Sequence, residues 1–149
     1  NTWHSPEGES IEISAVIIDV DNFKAFNDQC GHYQGDCCLY EIALIIRESF
    51  QNYTKAIARI GGDEFAVLLN DVTHEELLEV TQEMQQKIGN LKLAETQSQC
   101  PPAITVSIGI TAPQPISNIS WVELYKEADD LLYTAKSKGC NHIVDICTT

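Results

Sequence analysis

Two short acidic stretches in this chain carry residue types suited to metal and phosphate chemistry. Asp19-Val20-Asp21 follows directly on an aliphatic run, and Asp63-Glu64 follows directly on Gly61-Gly62. Carboxylates held close together repel unless a cation lies between them. A hard divalent ion is the natural guest, because Mg2+ (or Mn2+) takes a few carboxylate oxygens together with waters and substrate phosphates. Any one of these acids alone reads as a solvated turn residue. The set reads as a metal site if the fold brings both stretches together.

Whether they meet depends on the elements that carry them. Residues 11–18 (IEISAVII) are rich in β-branched side chains and predict a strand with Asp19 and Asp21 at its C-terminal tip. A polar, glycine-punctuated loop follows, and residues 36–50 then place apolar side chains at 38, 39, 42, 45, 46 and 50, a helical stripe. Residues 56–60 and 65–69 flank Gly61-Gly62, a hairpin signal in which the glycines would supply positive φ. Thr73 with Glu76, and Ser120 with Glu123, have the spacing of capping boxes that open two further helices. The first carries Leu77, Met84, Ile88 and Leu91 and ends near Gly89 or Asn90; the second carries Leu124, Ala128, Leu131, Leu132 and Ala135 and ends at Lys138-Gly139. Residues 92–99 form a polar linker, residues 103–111 a strand closed by Pro113 and Pro115, and residues 142–146 a last strand.

The resulting order, β-α-β-β-α-β-α-β, is the split βαβ of a ferredoxin-like, palm-like α+β fold with a central, mostly antiparallel sheet and flanking helices. In that topology the first strand lies beside the hairpin, so the tip at Asp19 and the turn from Gly61 to Glu64 meet at one end of the sheet.

Composition limits the function. A chain of 149 residues makes one domain, read here as residues 11–149 behind an N-terminal extension at residues 1–10. With 44% hydrophobic and 21% charged residues it is globular rather than disordered. The 22 acidic and 9 basic side chains give a net charge of -13 without a basic cluster, which disfavours nucleic acid and points to small phosphates handled through a divalent metal. The six cysteines lack C-x-x-C spacing and read as reduced, mostly buried thiols. The N-terminus has no apolar signal region, and the longest aliphatic run, residues 42–46, is far short of the roughly 18 residues of a membrane span. A cytoplasmic domain without membrane contacts of its own is expected, including the cytosolic end of a membrane-anchored receptor.

At residues 59–65 (RIGGDEF) the sequence resembles the GGDEF domain of bacterial diguanylate cyclases, with that pentapeptide unmodified. Residues 19–36 (DVDNFKAFNDQCGHYQGD) are similar to the family's D-x-D-x-F-K-x-x-N-D-x-x-G-H-x-x-G-D, and residues 103–109 end in its Ser-Ile-Gly strand. Ala128-Asp129, Tyr133, Ala135-Lys136 and Gly139 resemble its A-D-x-x-L-Y-x-A-K-x-x-G-x-N ending. Four motifs in the right order over roughly residues 11–146 make the likeness specific.

The resemblance implies a signalling transferase that condenses two GTP into cyclic di-GMP and two pyrophosphates. Each domain of an antiparallel homodimer would hold one GTP, whose 3′-hydroxyl attacks the α-phosphate of the other. It implies Asp63 and Glu64 as catalytic and metal-binding acids, with Asp63 helping to deprotonate the 3′-hydroxyl, and Asp19 and the Val20 carbonyl completing the Mg2+ (or Mn2+) ligands. Asn27 and Asp36 fall on the guanine readers. Their chemistry agrees, since a carboxylate accepts from two guanine N–H groups and an amide both donates and accepts. Without the other motifs, Asn27 would read as a turn residue and Asp36 as the cap of the long helix. Phe23, Lys24 and Lys136 fall on substrate-binding positions, the lysines on phosphate, and the amides of residues 22–24 would form an anion nest. Gly61 and Gly62 would let the backbone run close beneath the nucleotide. His32 reads as structural.

Some positions depart from the family pattern. Cys140 stands where the ending usually has arginine. Asn52 and Lys55 stand where the R-x-x-D product-inhibition motif has its arginine and aspartate, so no inhibitory site is expected. The family's opening L-T-G-L-x-N-R segment and its helix are lacking, so that part lies before residue 1 or the domain is truncated, and the sensory module that usually precedes the domain is absent from these residues. Two readings therefore compete: an active cyclase, favoured by the intact acids, and a catalytically silent domain that binds GTP and regulates a neighbour. A third, generic reading is another nucleotidyl-transfer domain on a palm-like fold.

Overall fold

A computed structural model describes residues 11–91 and 104–145 of the chain. The expected extension at 1–10, the linker at 92–99, Cys100 and Cys147 lie outside the described residues.

The strand predicted at 11–18 is β1 (Glu12–Val20), extended through the acidic tip. Because side chains alternate along a strand, Val16, Ile18 and Val20 enter one core with α2 (His32–Phe50) and α3 (His74–Gly89). Ile13, Ala15 and Ile17 enter a second core beneath α4 (Trp121–Ser137). A strand buried on both faces must be apolar throughout, which is why this run is continuously aliphatic. The hairpin of β2 (Thr54–Arg59) and β3 (Glu64–Asn70) pairs with one side of β1, and β4 (Val106–Ile110) with the other. The order is β2-β3-β1-β4-β6, with β5 (Gln114–Pro115) pairing the start of β1, so Pro115 adds a short strand where a simple stop was expected. Among the described residues all pairings are antiparallel except that of β6 (Ile143–Asp145) with β4. This is the expected mostly antiparallel α+β architecture.

Both capping boxes are present, at Thr73 with Glu76 and at Ser120 with Glu123. Gly109 lets α4 lie directly on β4, since a Cβ there would run into the α4 backbone at Ala128 and Leu132. No helix among the described residues is long and apolar enough to cross a membrane.

Three expectations are corrected. The segment read as a loop contains α1 (Phe23–Cys30), whose Phe23 and Phe26 rings stack at 6.1 Å; it is too short and too polar to show a helical apolar period. Residues 32–35 already belong to α2, so Asp36 lies inside the helix and does not cap it. Cys30 is disulfide-bonded, contrary to the all-reduced reading, whereas Cys37, Cys38 and Cys140 are free thiols.

Candidate active site

Asp19 and Glu64 are directly paired across the β1–β3 ladder. By alternation both fall on the face shared by Ile17, Ala66 and α4. The tip of β1 is fastened to the hairpin turn by the Val20 N–H, which donates to the Asp63 carbonyl at 3.0 Å. Helix α4 reaches both acids. Lys136 Nζ lies 3.0 Å from Asp19 Oδ2 and 3.7 Å from Asp21 Oδ1, and the Tyr125 hydroxyl donates to Glu64 Oε1 at 2.9 Å.

The electrostatics register the crowding. Burial pushes the Asp19 carboxyl above its ordinary pKa, Lys136 opposes that, and the charges of Asp63 and Glu64 push it further up. For Lys136, burial works against the charge, but its bond and attraction to Asp19, then Asp21, outweigh it and raise the pKa. Tyr125 is pushed up to about 12, chiefly because its proton is committed to Glu64.

These residues suit a hard cation in one specific respect. Asp19 Oδ1 is buried with no hydrogen-bond partner among the described residues, an acceptor that a cation would satisfy. Among the described residues no three His, Cys, Asp or Glu side chains close into a cage. An open edge of carboxylates agrees with Mg2+, which fills most of its shell with water and phosphate oxygens.

Asp21 does not belong to this group, although its position in the sequence suggested so. It is 4% exposed and accepts from Thr105 Oγ1 at 2.7 Å, Ser107 Oγ at 2.6 Å and the Asn141 N–H at 2.9 Å. Its carboxylate ties β1 to β4 and to the turn after α4. That turn runs through Gly139, Cys140 and Asn141 with φ of 111°, 65° and 53°, and Gln85 Nε2 of α3 donates to the Asn141 carbonyl at 3.0 Å. At the family's arginine position, Cys140 is a partly buried thiol whose pKa is raised by burial first and then by Asp21.

The proposed guanine readers lie on the helical side. Asn27, on α1, has a buried Oδ1 with no hydrogen-bond partner among the described residues and packs against Gly35 of α2. Asp36 is the next residue. It is exposed and lines a cleft of about 410 Å3 with Leu39, Tyr40, Ala43, Arg59 and Phe65. Phe23 is buried against Phe26, while Lys24 is exposed. Glu64 and Phe65 are consecutive strand residues facing opposite ways, so the start of β3 borders the acidic edge on one side and this cleft on the other.

The turn between β2 and β3 differs from expectation. Neither Gly61 nor Gly62 has a positive φ, and among the described residues a Cβ at either would meet nothing within 4 Å. The loop is shaped by Arg59, whose guanidinium donates to the Gly61 carbonyl at 3.2 Å and to the Gly62 carbonyl at 2.6 Å. The glycines thus leave open space above the turn. Arg59 and Tyr125 had no assigned role in the sequence. For Tyr125 the available signal was a polar-tipped aromatic beside Leu124 and Ala128 on the α4 stripe.

The chain is similar to known proteins in sequence and in fold. The family model described as diguanylate cyclase, GGDEF domain, matches residues 1–142. The chain is 32% identical to the probable diguanylate cyclase DgcT of Escherichia coli over 96% of this chain and 31% of that protein. It is 30% identical to the diguanylate cyclase DosC of the same species over 88% of this chain and 28% of that one. Among solved structures, the GGDEF domain of DgcB from Caulobacter crescentus in complex with c-di-GMP is similar with a TM-score of 0.80 and 27% identity, covering 93% of this chain and 80% of that one. The active GGEEF domain of a diguanylate cyclase from Vibrio cholerae is similar with a TM-score of 0.78 and 26% identity, covering 90% and 82%. The chain spans about a third of the length of these two curated relatives.

Proposed function

We propose, since this chain belongs to the diguanylate cyclase GGDEF domain family, that it joins two GTP molecules into cyclic di-GMP with release of two pyrophosphates. One observation carries the reading: Asp19 faces Glu64 at the end of the sheet and keeps a buried oxygen that no donor among the described residues satisfies. Asp19, the Val20 carbonyl, Asp63 and Glu64 would hold Mg2+ or Mn2+. The ion would neutralise the triphosphate and polarise the α-phosphate.

The other roles fall to the chain itself. Asn27 and Asp36 bind the guanine edge, for which the unpartnered Asn27 Oδ1 and the cleft beside Asp36 provide the support. Lys24, Lys136 and the open backbone at Gly61 and Gly62 take the triphosphate, and Phe23 backs the base site through its packing near Gly35. The 3′-oxygen of one GTP bonds to the α-phosphorus of the other, the bond to pyrophosphate breaks, and Asp63 accepts the 3′-hydroxyl proton. One domain holds one GTP, so two loaded chains must meet in a homodimer. A sensory module on the N-terminal side would control that encounter, and the supply of GTP places the domain in the cytoplasm. Asn52 and Lys55 leave the product-inhibition motif without its arginine and aspartate.

A second reading, a silent domain that binds GTP, is favoured by Cys140 at the position of the usual arginine. Incubation with GTP or ATP and Mg2+ over a range of chain concentrations, followed by separation of products, distinguishes them. Cyclic di-GMP from GTP alone, at a rate per chain that climbs with concentration, is expected. GTP binding without product would leave the silent reading, and turnover of ATP would overturn guanine selection.

A further inference from the structure

We propose that Tyr125 is a positioning residue for Glu64: its hydroxyl holds one carboxylate oxygen so that the other is presented to the divalent cation. The inference rests on the metal-site reading above and adds a residue that the motifs do not contain. Glu64 opens β3 at the end of the sheet, where the hairpin turn holds its backbone through the Ile60 N–H but leaves a long side chain with several rotatable bonds to be fixed. The bond from Tyr125 Oη to Glu64 Oε1, 2.9 Å long and spanning 61 residues of sequence, supplies that restraint. Tyr125 is a firm support. Its ring lies 5.8 Å from Trp121 at 48°, it packs against the core beneath α4, and the Ser120–Glu123 capping box fixes the start of the helix four residues before it.

The chemistry suits a ligand-orienting role. A phenol has one proton to give, so it engages one oxygen and leaves Oε2 for the metal. It donates to the ionised carboxylate, the form that binds a cation, and hydrogen-bonded partners behind a ligand commonly set its orientation. Helix α4 would then orient both acids, with Tyr125 on Glu64 and Lys136 on Asp19.

The test is a Mn2+ titration of the chain with a non-hydrolysable GTP analogue, read by the electron paramagnetic resonance of free Mn2+ and compared with the analogue alone. Tyr125→Phe should bind Mn2+ about 10–100-fold more weakly. Its affinity for the analogue at saturating Mn2+ and its metal-free melting temperature should stay close to those of the unaltered chain. Equal or tighter Mn2+ binding by Tyr125→Phe would overturn the proposal while leaving the metal site intact. If the unaltered chain takes up no Mn2+ beyond the analogue's own share, the metal-site reading itself falls, and the role of Tyr125 with it.

Discussion

The carboxamide of Asn27 fills the space that a side chain at position 35 would need. A Cβ on Gly35 would overlap Asn27 Oδ1 and crowd the tip of the Phe23 ring. The second glycine of the G-H-x-x-G-D run therefore serves α1 rather than its own helix: it lets Asn27 lie against α2 immediately before Asp36.

Gly35→Ala separates stability from binding. Alanine in a helix interior is favoured over glycine by about 1 kcal/mol, and the groups that must give way are the ends of two side chains, Asn27 and Phe23, rather than backbone. The melting temperature should hold or rise, whereas GTP affinity should fall about tenfold, the scale of one hydrogen bond of about 1–1.5 kcal/mol. Calorimetry with GTP and a thermal melt check both, and unaltered GTP affinity would detach Asn27 from guanine.

Asp19→Asn should abolish GTP-dependent product without lowering the metal-free melting temperature. Burial and the nearby charges of Asp63 and Glu64 disfavour the Asp19 anion, so losing its charge relieves more than it removes. Adding Mg2+ with a non-hydrolysable GTP analogue should stabilise the unaltered chain by about 2.7 kcal/mol at a hundredfold excess over Kd, and the variant far less. Equal metal-dependent shifts in differential scanning fluorimetry would place the ion elsewhere.

Asp36→Ala should weaken GTP by at least about 10–100-fold, since it removes both hydrogen bonds to guanine and each charged bond contributes about 1.5–3 kcal/mol, and leave weak ATP binding as it was. Lys24→Ala should weaken both nucleotides alike, because phosphate is common to them. Parallel titrations decide the assignment, and equal losses of GTP and ATP on removing Asp36 would exclude it from the base pocket.

The cap of α4 gives a pH signature. The backbone N–H of Ser120, then its side chain, hold the exposed Glu123 carboxyl below its ordinary value of 4.5. A lowered folded pKa gives stability that is complete above the ordinary value and lost as pH falls through the folded one. Glu123→Ala should therefore melt lower than the unaltered chain at neutral pH, with the gap narrowing below about pH 4.5. Melts from pH 3 to 7 check this, and a gap independent of pH would mean that the carboxylate does not cap the helix.

Local rules were enough for much of this molecule. The β-branched run ending at Asp19, the stripe on residues 36–50 and the two capping boxes are written in neighbouring residues, because strand period, helix period and cap chemistry act over a few positions. The meeting of Asp19 with Glu64 was also legible, since it needs only the strand order and the alternation of side chains. Helix α1 was not: eight residues with two buried phenylalanines give too short a pattern, and its stability comes from packing on α2.

The remainder depends on which distant side chains share a space. Asp21 looks equivalent to Asp19 in sequence, but the fold surrounds it with Thr105, Ser107 and the backbone of Asn141, 120 residues away, and so makes it a structural tie. Lys136 meets Asp19, and Tyr125 meets Glu64, only because Gly109 lets α4 settle against β4. Residue types and short spacings determined that this chain carries acids, glycines and the Asn27 and Asp36 side chains on an α+β frame. The tertiary structure decided which acid keeps an oxygen without a partner among the described residues and which donors reach the others, because hydrogen bonds and ion pairs form between neighbours in space.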